Sequence, residues 1–256
     1  MKGRSVPAAR AGEARRLRRE LRRRADRARG RFLRSYLGSP LPVLGVRGPE
    51  FRTLLRESRD RFRLLPTRSV RALARELWRG RTYEERWLAI ALLHEFTAPD
   101  DPRTWRLLDR WVDSATGWGL SDSLASGPVA RSVAAVPTRF RELLSWTRSS
   151  NLWRRRAAAY ALHDWVLEGE LDRPFRLLER LVSDPEFWVQ RAVGTWLREC
   201  WKQDPARTDQ FLRRHARALA PVTITVATER APQSLRNELR GARTHHRRGP
   251  GRGRAY

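Results

Sequence analysis

Cysteine is almost absent from this sequence, since Cys200 is the only one. A single cysteine excludes an internal disulfide, and it excludes any zinc site built from several cysteines. Proteins that use disulfides for stability belong mainly to oxidising compartments. The cysteine content therefore fits a chain that works in a reducing cytosol.

Long hydrophobic runs are also missing. A membrane-spanning helix needs about 20 consecutive apolar residues, and no stretch approaches that length. The arginine-rich start lacks the apolar segment of a secretory signal. A transit peptide is harder to exclude from charge alone, although Glu13, Glu20 and Asp26 count against one. We expect a cytoplasmic protein.

Lysine is scarce, yet positive charge is abundant. The chain has 54 cationic and 28 acidic side chains, and all of the cations except Lys2 and Lys202 are arginines. Residues 1–31 and 241–256 carry much of the excess, but residues 32–240 keep a net charge of +11. A field of this sign attracts polyanions, of which nucleic acid is the commonest and an anionic membrane surface the next.

Helical patterns follow one another along the chain, with no strand alternation beyond a few residues. Apolar residues recur at the 3.6-residue period over 67–79, and Asp-Pro, Pro or Asn punctuates the segments that follow. Residues 222–226 are β-branched and are interpreted as a turn or an irregular helix. The pattern predicts an all-α fold, an α-solenoid of HEAT-like antiparallel helix pairs with a concave basic groove.

Three regions are expected. Residues 1–33 form an arginine-rich, helical extension, either a solvated and frayed helix or an arm over phosphates. Residues 34–240 form the helical-repeat domain, and residues 241–256 form a disordered basic tail.

Three helices combine aromatic and charged residues in patterns suited to chemistry or binding. Trp118 and Asp122 are four residues apart, so they project from one helix face. Trp153 and Arg156 share a face on the next, and Val189, Val193, Trp196, Leu197 and Cys200 form the core face of the third. The opposite face of the third helix carries Trp188, Arg191, Thr195 and Arg198. Basic groups between aromatics suit phosphates beside nucleotides, although interhelical packing explains the tryptophans equally well.

The ordered set of motifs resembles the DNA alkylation repair family, the AlkD-like HEAT-repeat glycosylases, over residues 34–240. The motifs are the connector at 40–49, Glu84-Glu85-Arg86, Trp118-x-x-x-Asp122 with Leu124-Ala125-Ser126, the segment at 150–157, and the segment at 184–199. The resemblance implies a base excision repair glycosylase that removes N3-alkyladenine and N7-alkylguanine from double-stranded DNA. It further implies a monomer without cofactor, metal or membrane contact.

The resemblance also assigns roles to residues. Asp122 matches the catalytic carboxylate, Trp118 the aromatic beside the lesion, and Arg156 the arginine near the DNA backbone. The DNA-binding surface would include Trp153, Arg154, Trp188, Arg191, Thr195 and Arg198.

One position departs from the family. A second lesion-flanking tryptophan usually follows the glycine of the third helix, whereas Thr195 follows Gly194 here and Trp196 is rotated towards the core. One aromatic wall is therefore missing unless Trp188 replaces it, which puts the lesion specificity in doubt.

Other interpretations stay open. The chain could be a non-catalytic protein that binds bent, branched or damaged DNA, or a helical scaffold for an acidic protein. Asp122 could also be an N-terminal helix residue that the helix dipole favours.

Overall fold

The fold is helical throughout the part of the chain that the structure describes. A computed structural model describes residues 6–247, and the side chains of residues 11–242. No strand occurs within that range, so the predicted all-α class is confirmed there. None of its helices is both long and apolar enough to cross a bilayer.

The chain divides into two compact units, the first ending at Pro137. Its elements are α1 (Val6–Arg23), α2 (Arg27–Tyr36), α3 (Gly48–Arg63), α4 (Thr67–Trp78), α5 (Tyr83–Phe96), α6 (Pro102–Ser114), α7 (Trp118–Leu124), a π-helical turn (Ala125–Val129) and α8 (Ala130–Ala135).

The second unit begins at Thr138, within a short 3₁₀ turn at Pro137–Arg139. Its helices are α9 (Phe140–Trp146), α10 (Leu152–Tyr160), α11 (His163–Leu167), α12 (Asp172–Glu179), α13 (Phe187–Gln203), α14 (Pro205–His215), α15 (Pro221–Ala227) and α16 (Gln233–Arg247).

The arginine-rich helix α1 is part of the core of the first unit. Leu17 and Leu21 are fully buried. Arg18 donates from Nε to Glu85 Oε2 at 2.7 Å and from Nη1 to Glu76 Oε1 at 3.3 Å, which ties α1 to α5 and α4. The interpretation as a solvated, frayed helix is therefore wrong for residues 11–23. The phosphate-arm interpretation stays a prediction.

A buried carboxylate fixes the Pro/Gly-rich connector after α2. Glu84, which is 2% exposed, accepts hydrogen bonds from the backbone amides of Leu44, Gly45 and Val46 at 2.9, 2.8 and 3.4 Å. Gly45 has a φ of +84°, and a Cβ there would lie 2.2 Å from the Asp26 carbonyl oxygen. The connector can therefore approach α2 only with glycine at this position.

The core face predicted for α13 is confirmed, because Val189, Val193, Trp196, Leu197 and Cys200 are all buried. Burial raises the pKa of the Cys200 thiol to about 12, so the thiol stays protonated at neutral pH. The lone cysteine is therefore a core residue and not a nucleophile.

Two segments of the second unit differ from the expected elements. The helical segment that Asn151 begins in the sequence is broken after Tyr160 and resumes at His163. The β-branched stretch at 222–226 is a regular helix, α15. Its Thr223 and Ile224 are buried, and α15 packs against α13. Packing and a proline at the first helical position therefore outweigh β-branching.

The predicted disordered tail, 241–256, is only partly described. Helix α16 continues to Arg247, so residues 241–247 are helical. The expectation for residues 248–256 lies outside the described residues.

Candidate functional site

Two glycines, Gly117 and Gly119, allow α7 to approach the end of α2 closely. Gly117 has a φ of +81°, and a Cβ there would lie 2.3 Å from the Gly38 carbonyl oxygen. A Cβ at Gly119 would lie 2.8 Å from the Tyr83 hydroxyl oxygen. Neither position has room for a side chain, so the backbone around Trp118 lies directly against α2 and α5.

Trp118 completes a row of aromatic side chains with Phe32 and Tyr36, named here the aromatic row. The indole Nε1 donates to the Tyr36 carbonyl oxygen at 2.6 Å, and the two rings meet edge to face at 5.1 Å. Tyr36 stacks on Phe32 at 5.9 Å. Phe32 and Tyr36 are 67% and 58% exposed, and Trp118 is half-buried. This row is an apolar surface open to solvent.

Asp122 is the fifth residue of α7, one turn beyond Trp118. The dipole of a helix acts mainly on its first turn, which here holds no acidic residue. The interpretation of Asp122 as a residue placed by the helix dipole is therefore not supported. Asp122 is half-buried, and the helix changes to a π-helical turn three residues later, with Gly127 outside helical geometry at φ −95° and ψ −107°.

Tyr83 lies near Asp122 at the start of α5. Burial raises the pKa of the Tyr83 phenol well above its ordinary value, and the charges of Glu84 and Asp122 raise it further. A hydrogen bond with the Ser123 side chain acts in the opposite direction. Tyr83 is thus a protonated neighbour of Asp122 at any physiological pH, and no signal in the sequence singles it out.

The second unit holds a separate cluster around Arg156. The Arg156 side chain is buried, donates from Nη1 to the Trp188 carbonyl oxygen and donates from Nη2 to the Tyr160 hydroxyl at 3.2 Å. Its guanidinium lies 4.8 Å from the Tyr160 ring centre and 5.8 Å from that of Trp188. Within its own unit Arg156 holds these two aromatics in place.

Trp153 and Trp188, on α10 and α13, lie close together. Their ring centres are 6.3 Å apart with a tilt of 33°, and both side chains are half-buried. Phe187, which the sequence analysis missed, is 51% exposed and meets Trp188 edge to face at 5.3 Å. Arg154 lies 5.0 Å above the Trp146 ring. Trp188 is therefore in ring contact with both Trp153 and Phe187.

Arg155, between two predicted binding residues, has a structural role. It binds the Asp184 carboxylate with Nε at 2.6 Å and Nη2 at 3.2 Å, and it donates to the Ser149 carbonyl oxygen at 2.8 Å. The pair is largely buried, so it fixes the start of α10 against the segment that precedes α13.

The predicted binding face of α13 contains both an exposed arginine and an arginine whose charge is offset by carboxylates. Arg191 is exposed, and its carbonyl oxygen accepts from the half-buried Thr195 hydroxyl at 3.0 Å. Arg198 pairs with Glu199 and Glu229, which offset its charge. Trp196 is 4% exposed and packs on Tyr160, so the expected rotation of its indole into the core is confirmed. Position 195 offers a hydroxyl and no ring.

The structure therefore builds two clusters, one in each unit. The first contains the aromatic row, Asp122 and Tyr83, and the second contains Trp153, Arg154, Arg156 and Trp188. Among the described residues, no group of three or more His, Cys, Asp or Glu side chains is arranged to hold a metal ion.

These features define an all-α helical-repeat protein that combines arginine-rich helix faces with half-buried tryptophans and a carboxylate. The chain belongs to the DNA alkylation repair enzyme family, whose family model matches residues 17–231. The family predicted from the ordered motifs is confirmed, and membership gives the chain a role in the repair of alkylated DNA. None of the curated proteins compared with the chain matches it significantly.

Solved structures share the fold at low sequence identity. A predicted DNA alkylation repair enzyme from Enterococcus faecalis is 16% identical, with a TM-score of 0.72 over 82% of this chain and 98% of its own. AlkD2 from Streptococcus mutans is 19% identical, with a TM-score of 0.59 over 70% and 89%. The protein smu.31 from Streptococcus mutans UA159 is 20% identical, with a TM-score of 0.57 over 71% and 94%. These likenesses concern the fold alone and agree with the predicted α-solenoid.

Proposed function

We propose that the chain is a DNA glycosylase that hydrolyses the N-glycosidic bond of cationic alkylated purines, N3-alkyladenine and N7-alkylguanine, in duplex DNA. The observation that carries the proposal is that Trp118 and Asp122 lie one turn apart on the same short helix, with Trp118 in the solvent-exposed aromatic row. Membership of a DNA alkylation repair family supports the same reaction class.

The chemistry requires little from the protein. An alkylated purine carries a positive charge and leaves with the electron pair of the glycosidic bond, so it needs no protonation. The sugar then develops oxocarbenium character, which a nearby carboxylate stabilises. Asp122 would supply that negative charge and accept a proton from the water whose oxygen bonds to C1′. Trp118 would stack beside the lesion and exclude bulk water.

Binding would use the cationic and aromatic residues of the second unit. Trp153, Arg154, Trp188 and Arg191 would contact the DNA backbone or exposed bases. Thr195 and Arg198 would border that surface. Arg156 would position Trp188 and keep one positive charge beside the phosphates. We further propose that the protein is a monomer that acts in the cytoplasm and needs no metal or cofactor.

The proposal is tested by base release from alkylated DNA. Duplex DNA treated with a methylating agent is incubated with the protein, and free N7-methylguanine and N3-methyladenine are quantified by chromatography. We expect release above the spontaneous depurination of the same DNA, because Asp122 lowers the barrier to the oxocarbenium ion. Release equal to that of protein-free DNA for both bases would exclude the glycosylase.

A second candidate is a non-catalytic protein that binds bent, branched or damaged DNA. Thr195 favours it, because one wall of the expected aromatic site has a hydroxyl in place of a ring. Tight binding to lesion-containing duplex without base release would support this candidate.

Placing a tryptophan at position 195, where the family usually has one, provides a further prediction. We expect Thr195→Trp to bind lesion-containing duplex about tenfold more tightly, since base stacking on an aromatic contributes about 1–3 kcal/mol. Fluorescence anisotropy with duplexes that differ only in the lesion measures this preference.

Thr225→Trp is the matched control. Thr225 is also on a helix, at an exposed position, and its hydroxyl bonds to the carbonyl oxygen four residues earlier, as that of the half-buried Thr195 does. If both variants changed the affinity equally, position 195 would have no special relation to the lesion.

A further inference from the structure

Two rows of arginines line a cleft on the first unit, away from the Trp118 and Asp122 cluster of that unit. Helix α4 supplies one row and α6 the other, with the same spacing of three and then four residues, and the cleft between them has a volume of about 420 Å³. The arginine cleft is lined by Arg68, Arg71, Arg75, Arg103, Arg106 and Arg110 and by no other residue.

The two helices run side by side in the same direction. Arg71 pairs with Asp101 at the start of α6, while Trp78 stacks on Trp111 near its end. The indole planes are 4.2 Å apart between ring centres and 5° from parallel, and Trp78 Nε1 donates to the Ser114 hydroxyl at 3.2 Å. These buried contacts hold the two arginine rows opposite each other, so that Arg75 faces Arg110.

The cleft has almost no negative charge of its own. Arg71 is buried and ion-paired with Asp101, which also caps α6, so its role is structural. Within residues 11–242, no carboxylate lies within ion-pair distance of the other five arginines. Burial and the charges of Arg110, Arg71 and Arg79 lower the pKa of Arg75, which is the expected effect of like charges held together.

The charge of the rows suits a nucleic-acid backbone. Seven residues of helix extend about 10 Å; over that length the α6 row places three cations and the α4 row two, since Arg71 is paired with Asp101. A DNA strand presents one negative charge about every 3.4 Å along the duplex axis, so more than one phosphate comes within the length of the cleft. Arginine binds phosphate with two parallel hydrogen bonds and keeps its charge at any physiological pH.

A cleft that binds an acidic protein would be expected to include exposed apolar residues. Protein interfaces bury an apolar centre surrounded by a polar rim. The arginine cleft has no exposed apolar side chain among its lining residues, so its surface offers charge alone. Backbone phosphates of nucleic acid are the better match.

The cleft is separate from Trp118 and Asp122. The apolar face of α4, with Leu73 and Leu77 buried, packs against α1 and α5, so the arginines of α4 project away from α5. Tyr83, the neighbour of Asp122, lies on α5. We propose that the arginine cleft binds the phosphate backbone of a second segment of duplex DNA, which lets one molecule hold two segments at once.

The test compares two variants that each lose three positive charges. The cleft variant is Arg75→Gln/Arg106→Gln/Arg110→Gln, which leaves the structural Arg71 in place. The control variant is Arg52→Gln/Arg56→Gln/Arg63→Gln, which neutralises exposed arginines of α3 in the same unit. Circular dichroism and thermal unfolding first establish that both variants fold as the full chain does.

Bridging is then measured with unmodified duplexes, so the result does not depend on base release. Protein bound to a bead-captured duplex is offered a second, fluorescent duplex at several salt concentrations. We expect the full chain and the control variant to capture it and the cleft variant to capture about tenfold less. The slope of log affinity against log salt concentration for this capture should fall by about 2 to 3, one for each lost phosphate contact.

Three outcomes would overturn the inference. The full chain could fail to capture the second duplex, the cleft variant could capture it as well as the full chain does, or both variants could lose capture equally. Loss of poly-L-glutamate binding by the cleft variant, with duplex capture unchanged, would assign the cleft to an acidic protein and would also overturn it.

Discussion

Replacing Asp122 with asparagine is expected to slow the release of alkylated purines by about 100-fold or more. Asparagine keeps the shape of the side chain but removes its charge and its ability to accept a proton from water, so the loss measures the combined catalytic contribution of the carboxylate. That contribution appears only when the sugar becomes cationic, which places the effect on the rate of the chemical step and not on binding. Single-turnover release of N7-methylguanine from alkylated duplex measures it directly.

Binding supplies the control for Asp122→Asn. A carboxylate repels phosphate, so we expect duplex affinity to stay the same or to rise slightly in the variant. Asp60→Asn, at an exposed position on α3, should change neither rate nor affinity. If Asp122→Asn released bases as fast as the unaltered chain, Asp122 would have no part in the mechanism.

Replacing Glu84 with glutamine is expected to destabilise the first unit by about 2–3 kcal/mol. The Glu84 carboxylate accepts three backbone N–H groups of the connector. Glutamine has one oxygen and turns an NH₂ group towards these donors, so at least one buried N–H loses its partner. The change is seen as a lower midpoint in urea unfolding followed by circular dichroism.

Glu50→Gln is the matched control for Glu84→Gln. Glu50 also accepts a backbone N–H, from Arg47 at 3.2 Å, but it does so in solvent. We expect a change below about 0.5 kcal/mol at this surface position. Equal midpoints for both variants would contradict the view that the buried carboxylate holds the connector in place.

Helix starts were predictable because their signals are local. The Asp101 carboxylate accepts from the amides of Arg103 and Thr104, and the Asn151 side chain accepts from the Trp153 amide. Each capping residue lies within three positions of the groups that it satisfies, so a short window of sequence contains the whole interaction.

The roles of arginines 154–156 were not predictable in the same way. Arg155 is fixed by Asp184, and Arg156 by Tyr160 and the Trp188 carbonyl oxygen. Two of these partners lie about thirty residues further along the chain. Identical side chains therefore differ in function through tertiary contacts, which no local pattern records.

The N-terminal segment shows the limit of arguments from charge. Its arginine content suggested either a solvated helix or an arm over phosphates, yet Leu17 and Leu21 are core residues. Deleting residues 1–31 would remove part of the core of the first unit. A truncation that tests the contribution of the basic ends to DNA binding must therefore spare α1.

The stacked indoles of Trp78 and Trp111 give the protein an internal optical reporter. Two indoles stacked at 4.2 Å couple their electronic transitions, and the circular dichroism of the pair depends on the distance and the twist between the two rings. This signal depends on the spacing of α4 and α6, since each helix carries one of the two rings. Any ligand that spreads or tightens these helices would change the spectrum without a label.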